Sequence, residues 1–122
     1  MVSKYYLKYH IVFCTKYRKK LDDKIFSLIV NTINEFNEVE EINCDMNDHI
    51  HILVSLKPSD NISSIVKHLK MTTMNKVWSK YHDYMKLKFW KKKVLWSGGY
   101  YVSSVGDIDE EKVKKYIKNQ GR

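Results

Sequence analysis

Residues 49–56 read HIHILVSL, a run in which apolar residues predominate and two histidines stand two positions apart. Such a run is typical of a buried β-strand, and Lys57-Pro58 predicts where this strand ends. Side chains alternate between the two faces of a strand, so His49 and His51 share one face while Ile50 points to the other. The pattern therefore predicts a strand with a core on one side and two imidazoles on the other.

Elements on either side of this strand follow from periodicity and from capping residues. KYYLKYHIVFCT at 4–15 is rich in aromatic and β-branched residues and predicts a first strand. Apolar residues at helical spacing, preceded by Asp22 and Asp23, predict a helix over 23–38. The other predicted strands are 40–47, 94–96 and 100–105, and the other predicted helices are one from 62 that kinks or divides between 69 and 74 and one from 107 or 109 to about 120.

The element order β-α-β-β-α-β-α predicts an α+β fold. We expect a ferredoxin-like (split βαβ) antiparallel sheet with helices on one face and an added C-terminal helix. Asn47-Asp48 is the predicted tight connection between the second and third strands. A chain of 122 residues, of which 43% are hydrophobic, has enough apolar surface for one core, so we expect a single domain over 1–122.

Composition excludes several classes of protein. No apolar run approaches the roughly 20 residues that span a bilayer, and the opening MVSKYYLKYH is unlike a signal peptide. Cys14 and Cys44 are far apart and form no CxxC pair, which excludes a disulfide framework and a cysteine zinc site. Both are expected to be small buried residues. We therefore expect a soluble, cytoplasmic protein.

The positive charge of the chain is concentrated in two blocks. The net charge is +8, and residues 61–106 contain nine lysines and one acid. A second basic block near the start includes Arg18, Lys19 and Lys20. This segregation favours a surface that binds the phosphates of a nucleic acid, and the predominance of lysine over arginine favours backbone contacts over base reading. Lys91, Lys92 and Lys93 are the main candidates for phosphate contacts, although a solvated lysine-rich loop has the same pattern.

Two pairs of residues are candidates for chemistry. His49 and His51 can share one metal ion, although a histidine triplet of this kind also occurs as a structural or surface feature. Tyr116 and Gln120 are four residues apart, so they lie on one face of the predicted last helix. They are either a packing residue and a helix-end residue, or a nucleophile and an oxygen ligand of the same metal. In the second interpretation a divalent ion polarises a phosphodiester and assists the phenolate, and the spacing leaves both interpretations open.

Four blocks of the sequence, in order along the chain, resemble one known family. DHIHILVSL at 48–56 resembles the histidine–hydrophobic–histidine (HUH) motif of the TnpA-type single-tyrosine transposases of the smallest bacterial and archaeal insertion sequences. YHIVFCTKYRKK at 9–20 resembles the opening strand of that family, and LWSGGYYVSSVG at 95–106 resembles the segment before its catalytic helix. KYIKNQ at 115–120 resembles its tyrosine–glutamine motif. Together the blocks cover nearly the whole chain.

The resemblance implies a fold, an activity and a partner. Members have a ferredoxin-like sheet with the HUH pair on a central strand, and they act as homodimers that share active sites between subunits. They cut and rejoin single-stranded DNA at element ends with Mg²⁺ or Mn²⁺, and they recognise a DNA hairpin. By position, His49, His51 and Gln120 would hold the metal, and Tyr116 would form a 5′-phosphotyrosine. The alternatives are a related HUH nickase, of the replication-initiator, relaxase or domesticated palindrome-processing kind, and a non-catalytic nucleic-acid-binding module.

The remaining polar and aromatic residues are assigned structural roles. His10, His68 and His82 have no partner at metal spacing and are predicted to be ordinary strand or surface histidines. Asp48 either orients a ligand histidine or is a turn residue. Most aromatic residues at periodic positions belong to a core, but any of them can stack on an unpaired base. The aromatic residues in question are Trp78, Trp90, Trp96, Tyr100 and Tyr101.

Overall fold

The computed structural model of the chain describes residues 7–106. Within that range, four strands and three helices follow one another in the predicted order. The strands are β1 (Lys8–Cys14), β2 (Val39–Asp45), β3 (His49–Ser55) and β4 (Tyr101–Val105), and the helices are α1 (Asp23–Asn34), α2 (Ile62–Lys80) and α3 (His82–Lys88). A short 3-10 turn, Lys16–Arg18, follows β1. The helix predicted between 107 and 120 lies outside the described residues.

The strands form one antiparallel sheet in the order β2-β3-β1-β4. The first and third strands are central neighbours and the second and fourth lie at the edges, which is the split βαβ arrangement. In the register, Ile52 of β3 lies between Ile11 of β1 and Ile42 of β2. The predicted α+β, ferredoxin-like fold is confirmed over the described residues.

The main core lies between one face of this sheet and the helices. The buried apolar side chains of all three described helices belong to the same cluster as Ile11, Phe13, Ile50 and Ile52 of the two central strands. Each such side chain contributes about 1.5–3 kcal/mol when it leaves water, so this face supplies most of the stability. The odd-numbered residues of β3, which include His49 and His51, point to the other face of the sheet.

The division between the second and third helices differs from the prediction. The sequence predicts a break where the apolar stripe shifts, between Leu69 and Met74, but α2 continues to Lys80 and the chain leaves helical geometry at Tyr81 (φ −121°, ψ 44°). Thr73 explains the difference, because it is fully buried and continues the stripe between Leu69 and Val77. Its hydroxyl donates to the Leu69 carbonyl (2.7 Å) and accepts from Trp96 Nε1 (2.8 Å).

Two loop predictions also need correction. The turn between β2 and β3 is closed by Asp48 N donating to Asp45 O (3.2 Å), so its central residues are Met46 and Asn47 and not Asn47 and Asp48. Both central residues have positive φ, 54° and 56°, which is the condition for a type I′ turn. The strand predicted over 94–96 is reduced to one bridge, between Trp96 and Thr15.

The helix predicted over 23–38 ends at Asn34, and a turn leads from it into β2. Within residues 7–106, no helix has the length and apolarity that crossing a membrane requires.

Candidate metal centre

His49 and His51 lie side by side on β3, on the face of the sheet opposite the main core. Their ring centroids are 5.1 Å apart, while Ile50 between them is fully buried in the main core. Strand alternation therefore places the two imidazoles together, as the sequence predicts.

Asp45, the last residue of β2, completes a three-residue cluster with these histidines. Asp45 Oδ2 lies 3.1 Å from His49 Nε2 and 4.0 Å from His51 Nε2. One ligand atom from each of the three residues lies within 4.8 Å of the others, which is close enough for one ion. Sequence reasoning missed Asp45, and the signal that identifies it is the hairpin register, in which Asp45 lies directly opposite His49.

The Nδ1 atoms of both rings contact other polar groups. His49 Nδ1 lies 2.6 Å from Asp48 Oδ1, and His51 Nδ1 lies 3.2 Å from His10 Nε2. Both rings therefore present Nε2 to Asp45 and use Nδ1 for orientation, which is the usual arrangement of metal-binding histidines. Of the two roles considered for Asp48, the contact supports the one in which it orients a histidine.

The prediction for His10 is wrong. The sequence assigns it no partner at metal spacing, but its ring stacks on that of His51, with centroids 5.4 Å apart and planes 15° apart. The reason is the register of β1 and β3: Val12 lies opposite His51, so His10, two residues earlier, lies on the same face and diagonal to it. His68 packs its ring edge against Phe36, as a structural histidine does.

Burial favours the neutral form of the His51 and His10 rings. Burial, followed by the nearby His49 and His10 rings, lowers the pKa of His51 to about 4, with Asp45 partly opposing them. Burial also lowers the pKa of His10. A neutral imidazole has a free lone pair on one ring nitrogen, which is what metal coordination requires. The cluster offers two nitrogens and one carboxylate oxygen, a set that accommodates a divalent ion.

Comparison with known proteins identifies the family. Residues 3–120 match the family model described as IS200-like transposase. The chain belongs to this family. It is 31% identical over 118 residues to the transposase of insertion sequence IS200 from Salmonella typhimurium, covering 93% of this chain and 76% of the relative. It is 30% identical over 121 residues to the ISDra2 transposase TnpA of Deinococcus radiodurans, covering 95% of this chain and 85% of the relative. The resemblance drawn from the four sequence blocks is confirmed.

Solved structures agree with this assignment. A Deinococcus radiodurans protein assigned as a transposase superposes with a TM-score of 0.63 at 26% identity, covering 98% of this chain and 94% of the other. A REP-associated tyrosine transposase bound to a REP hairpin superposes with a TM-score of 0.59 at 13% identity, covering 96% of this chain and 69% of the other. At 13% identity, the similarity to this second structure shows a shared fold and no more. The chain is therefore a transposase of this family, with a four-stranded sheet and a candidate metal centre.

The two loops that carry the residues predicted to contact DNA are neighbours, and Arg18 of the first loop lies beside the candidate metal centre. Lys16 N donates to Leu95 O (2.8 Å), which joins the loop after β1 to the loop after α3. The two predicted basic groups thereby become neighbours, and Arg18 Nε lies 3.6 Å from Asp48 Oδ2. We call this region the basic loop surface, and it consists of Lys16, Tyr17, Arg18, Lys19, Lys20, Trp90, Lys91, Lys92 and Lys93.

The aromatic residues and cysteines singled out in the sequence differ in how far they are buried. Trp78 and Trp96 are core residues, 5% and 8% exposed, whereas Trp90, Tyr100 and Tyr101 are exposed. The cysteines are half-buried and not fully buried. Tyr116 and Gln120 lie outside the described residues.

Proposed function

We propose that this transposase cleaves and rejoins single-stranded DNA at insertion-sequence ends, with a divalent metal and through a 5′-phosphotyrosine intermediate. The observation that carries the proposal is the Asp45–His49–His51 cluster on the sheet of a chain whose family is that of IS200-like transposases. A structural histidine pair does not need three ligand atoms within one ion's reach, nor rings held from behind by a carboxylate and another imidazole.

The proposed ligands are Nε2 of His49 and His51 with an oxygen of Asp45, and, by resemblance to the family motif, Gln120. This mixture of nitrogen and oxygen donors fits Mg²⁺ or Mn²⁺. When bound, the metal supplies Lewis-acid polarisation of a phosphodiester oxygen at the scissile bond. Asp48 and His10 hold the ligand rings so that no reorientation is needed when the ion arrives.

The proposed nucleophile is Tyr116, in the segment KYIKNQ at 115–120. Its phenol oxygen forms a bond to phosphorus as the bond from phosphorus to the 3′ oxygen breaks. The phenolic proton passes to solvent or a base, and the departing oxygen takes a proton to become a free 3′-hydroxyl. Attack by a second 3′-hydroxyl on the phosphotyrosine reverses the step and joins two DNA ends. One ester replaces another at each stage, so no nucleotide cofactor is needed.

The proposed DNA-binding residues are Arg18, Lys19 and Lys20 with Lys91, Lys92 and Lys93. The two loops that carry them are neighbours and Arg18 lies 3.6 Å from Asp48, which supports a path for the DNA backbone toward the proposed centre. The net charge of +8 favours a polyanion. A hairpin is the proposed recognition element, since a solved protein of similar fold binds a REP hairpin. By the same resemblance we propose a homodimer whose subunits share active sites, each subunit a single domain over 1–122.

The test is a denaturing gel of the purified protein with labelled single-stranded DNA from the end of its own element. We expect a slow-migrating covalent band that needs Mg²⁺ or Mn²⁺ and is absent from Tyr116→Phe and His49→Ala. His68→Ala, a histidine that packs against Phe36 away from the cluster, is the matched control and keeps the band. A second DNA end added to the wild type should be joined, which separates a transposase from a nickase. Binding without any covalent band would instead indicate a non-catalytic DNA-binding module.

A further inference from the structure

Two exposed aromatic rings meet at the centre of the basic loop surface. Tyr17, in the loop after β1, and Trp90, in the loop after α3, lie edge to face with centroids 5.8 Å apart. They are 59% and 65% exposed, although aromatic side chains of this size dominate cores and interfaces. The pair belongs neither to the main core nor to the metal centre.

The backbone holds both rings at an energetic cost. Tyr17 and Arg18 have φ of 60° and 52°, and Trp90 and Lys91 have φ of 50° and 67°. Bulky residues are outliers in this left-handed region, and such strain persists where the surrounding structure enforces it, often at ligand-binding sites. Here the enforcement comes from Arg18 N donating to Thr15 O (3.0 Å) and Lys91 N donating to Lys86 O (2.9 Å).

Cations surround the two rings. Lys19 Nζ lies 4.2 Å from the centre of the Trp90 ring, and Lys16 Nζ lies 5.5 Å from that of Tyr17. Lys91, Lys92 and Lys93 follow Trp90 directly and are exposed. An apolar ring surface surrounded by cations matches a ligand that has both flat π faces and negative charges, as unpaired nucleotides do.

The surface also leads to the metal centre. Arg18 is next to Tyr17 and lies 3.6 Å from Asp48 Oδ2, and Asp48 in turn contacts His49. A strand bound at the two rings would therefore continue toward the proposed cleavage site. A double helix keeps its base faces stacked internally, so rings of this kind favour an unpaired base.

We propose that Tyr17 and Trp90 form a stacking platform for an unpaired base of single-stranded DNA, with the lysines of the basic loop surface contacting its phosphates. The proposal rests on the single-stranded DNA activity proposed above. Trp90 provides the larger ring face, and Tyr17 and Lys19 hold it in place. The platform fixes where the strand enters the metal centre and takes no part in bond breaking.

Tryptophan fluorescence gives a direct test. Of the three tryptophans, Trp78 and Trp96 are buried, so quenching on DNA binding reports on Trp90. The probe is a dT oligonucleotide of roughly twelve nucleotides, within the range that single-strand sites cover. We expect it to quench the emission of the wild type and to leave that of Trp90→Phe almost unchanged, although Trp90→Phe still binds because it keeps a ring.

A second probe separates stacking from charge. An abasic strand of the same length keeps the phosphates and removes every base. Trp90→Ala should weaken dT binding about 5- to 150-fold, the value of one stacked base, and should leave binding of the abasic strand unchanged. Leu87→Ala removes an 84% exposed apolar side chain three residues away and is the matched control, for which we expect no change.

The outcomes distinguish this proposal from the one on which it rests. Binding of dT without quenching, and with equal affinity in the wild type and Trp90→Ala, overturns the platform and leaves the proposed function intact. Equal weakening of dT and abasic binding by Trp90→Ala also overturns it, because the loss then has no base component. If neither strand binds the wild type, the proposed function itself fails.

Discussion

Replacement of Asp48 tests whether the carboxylate behind His49 controls metal binding. Asp48 is 5% exposed, and its Oδ1 lies 2.6 Å from His49 Nδ1. In this position it can accept a hydrogen bond from Nδ1, which holds Nε2 toward the cluster. Asp48→Asn keeps the shape and a neutral acceptor, whereas Asp48→Ala removes both. We expect both variants to fold. Both should bind Mn²⁺ more weakly than the wild type, and Asp48→Ala should bind it more weakly than Asp48→Asn.

The size of the effect follows from the contact. A hydrogen bond to a charged group contributes about 1.5–3 kcal/mol, and about 1.4 kcal/mol corresponds to a tenfold change in an equilibrium constant. Asp48→Ala should therefore weaken Mn²⁺ binding roughly 10- to 150-fold, and Asp48→Asn should fall near the lower end. The other partner, Arg18, is 64% exposed and 3.6 Å away, so that pair contributes only about 0–1 kcal/mol to stability.

The assay is isothermal titration of Mn²⁺ into each variant at neutral pH, with thermal unfolding in the presence and absence of Mn²⁺ as an independent measure. Asp83→Asn is the matched control, because Asp83 is fully exposed and lies on α3. The Mn²⁺ affinity of this variant should equal that of the wild type. If Asp48→Ala binds Mn²⁺ as tightly as the wild type while His49→Ala does not bind it, Asp48 is only a turn residue and the reasoning is refuted.

Three further predictions concern the fold and the DNA surface. Met46→Asn should stabilise the protein by roughly 0.5–1 kcal/mol in urea unfolding, because asparagine tolerates the positive φ of the exposed turn position, whereas Met71→Asn on α2 should destabilise it. Thr73→Val should cost about 1–3 kcal/mol in the same measurement, since it leaves the buried Trp96 N–H without its acceptor, and an unchanged midpoint would contradict this. DNA affinity should fall steeply with salt, and Lys92→Gln should reduce the log–log slope by about 0.7; a slope equal to that of the wild type would remove Lys92 from the contact surface.

The sequence predicts β3 and its paired histidines because the relevant signal is local. HIHILVSL combines a continuous apolar run with a two-residue period, and neither depends on knowing what lies beside the strand. The order of the elements then restricts the topology to a few choices, of which the split βαβ arrangement is observed. In the described part of the chain, the errors concern where elements end, apart from the strand predicted over 94–96, which is only one bridge.

The histidine partners could not be predicted because they depend on register. With Asn47 and Asp48 as a two-residue loop, Met46 would lie opposite His49 and Asp45 would face the main core. In the observed turn Asp45 lies opposite His49, so its carboxylate reaches the two Nε2 atoms. Three residues, 46–48, separate the paired Asp45 and His49, and this one-residue difference from the predicted loop length conceals a candidate metal ligand.

Thr73, on helix α2, is a second residue whose position depends on tertiary contacts that the sequence does not show. Hydropathy treats threonine as a break in an apolar stripe, so the sequence predicts a bend in α2 near it. The side chain is nevertheless buried, because its hydroxyl is satisfied twice, by a carbonyl one turn earlier and by Trp96 Nε1. Trp96 is far away in the sequence, so only the tertiary structure shows that Thr73 can occupy the core.

The same turn that conceals Asp45 also explains how the cluster is held. Asp45 and Asp48 are the first and last residues of that turn, so one backbone hydrogen bond fixes the carboxylate in front of His49 and the one behind it. Asn47, between them, donates its side-chain amide to Leu21 O (2.9 Å) and Asp23 Oδ1 (2.7 Å), which anchors the turn to the start of α1. The left-handed backbone at Met46 and Asn47 is the cost of this arrangement. A relaxed turn of another length would separate the two carboxylates from His49, so the strain and the centre have a common origin.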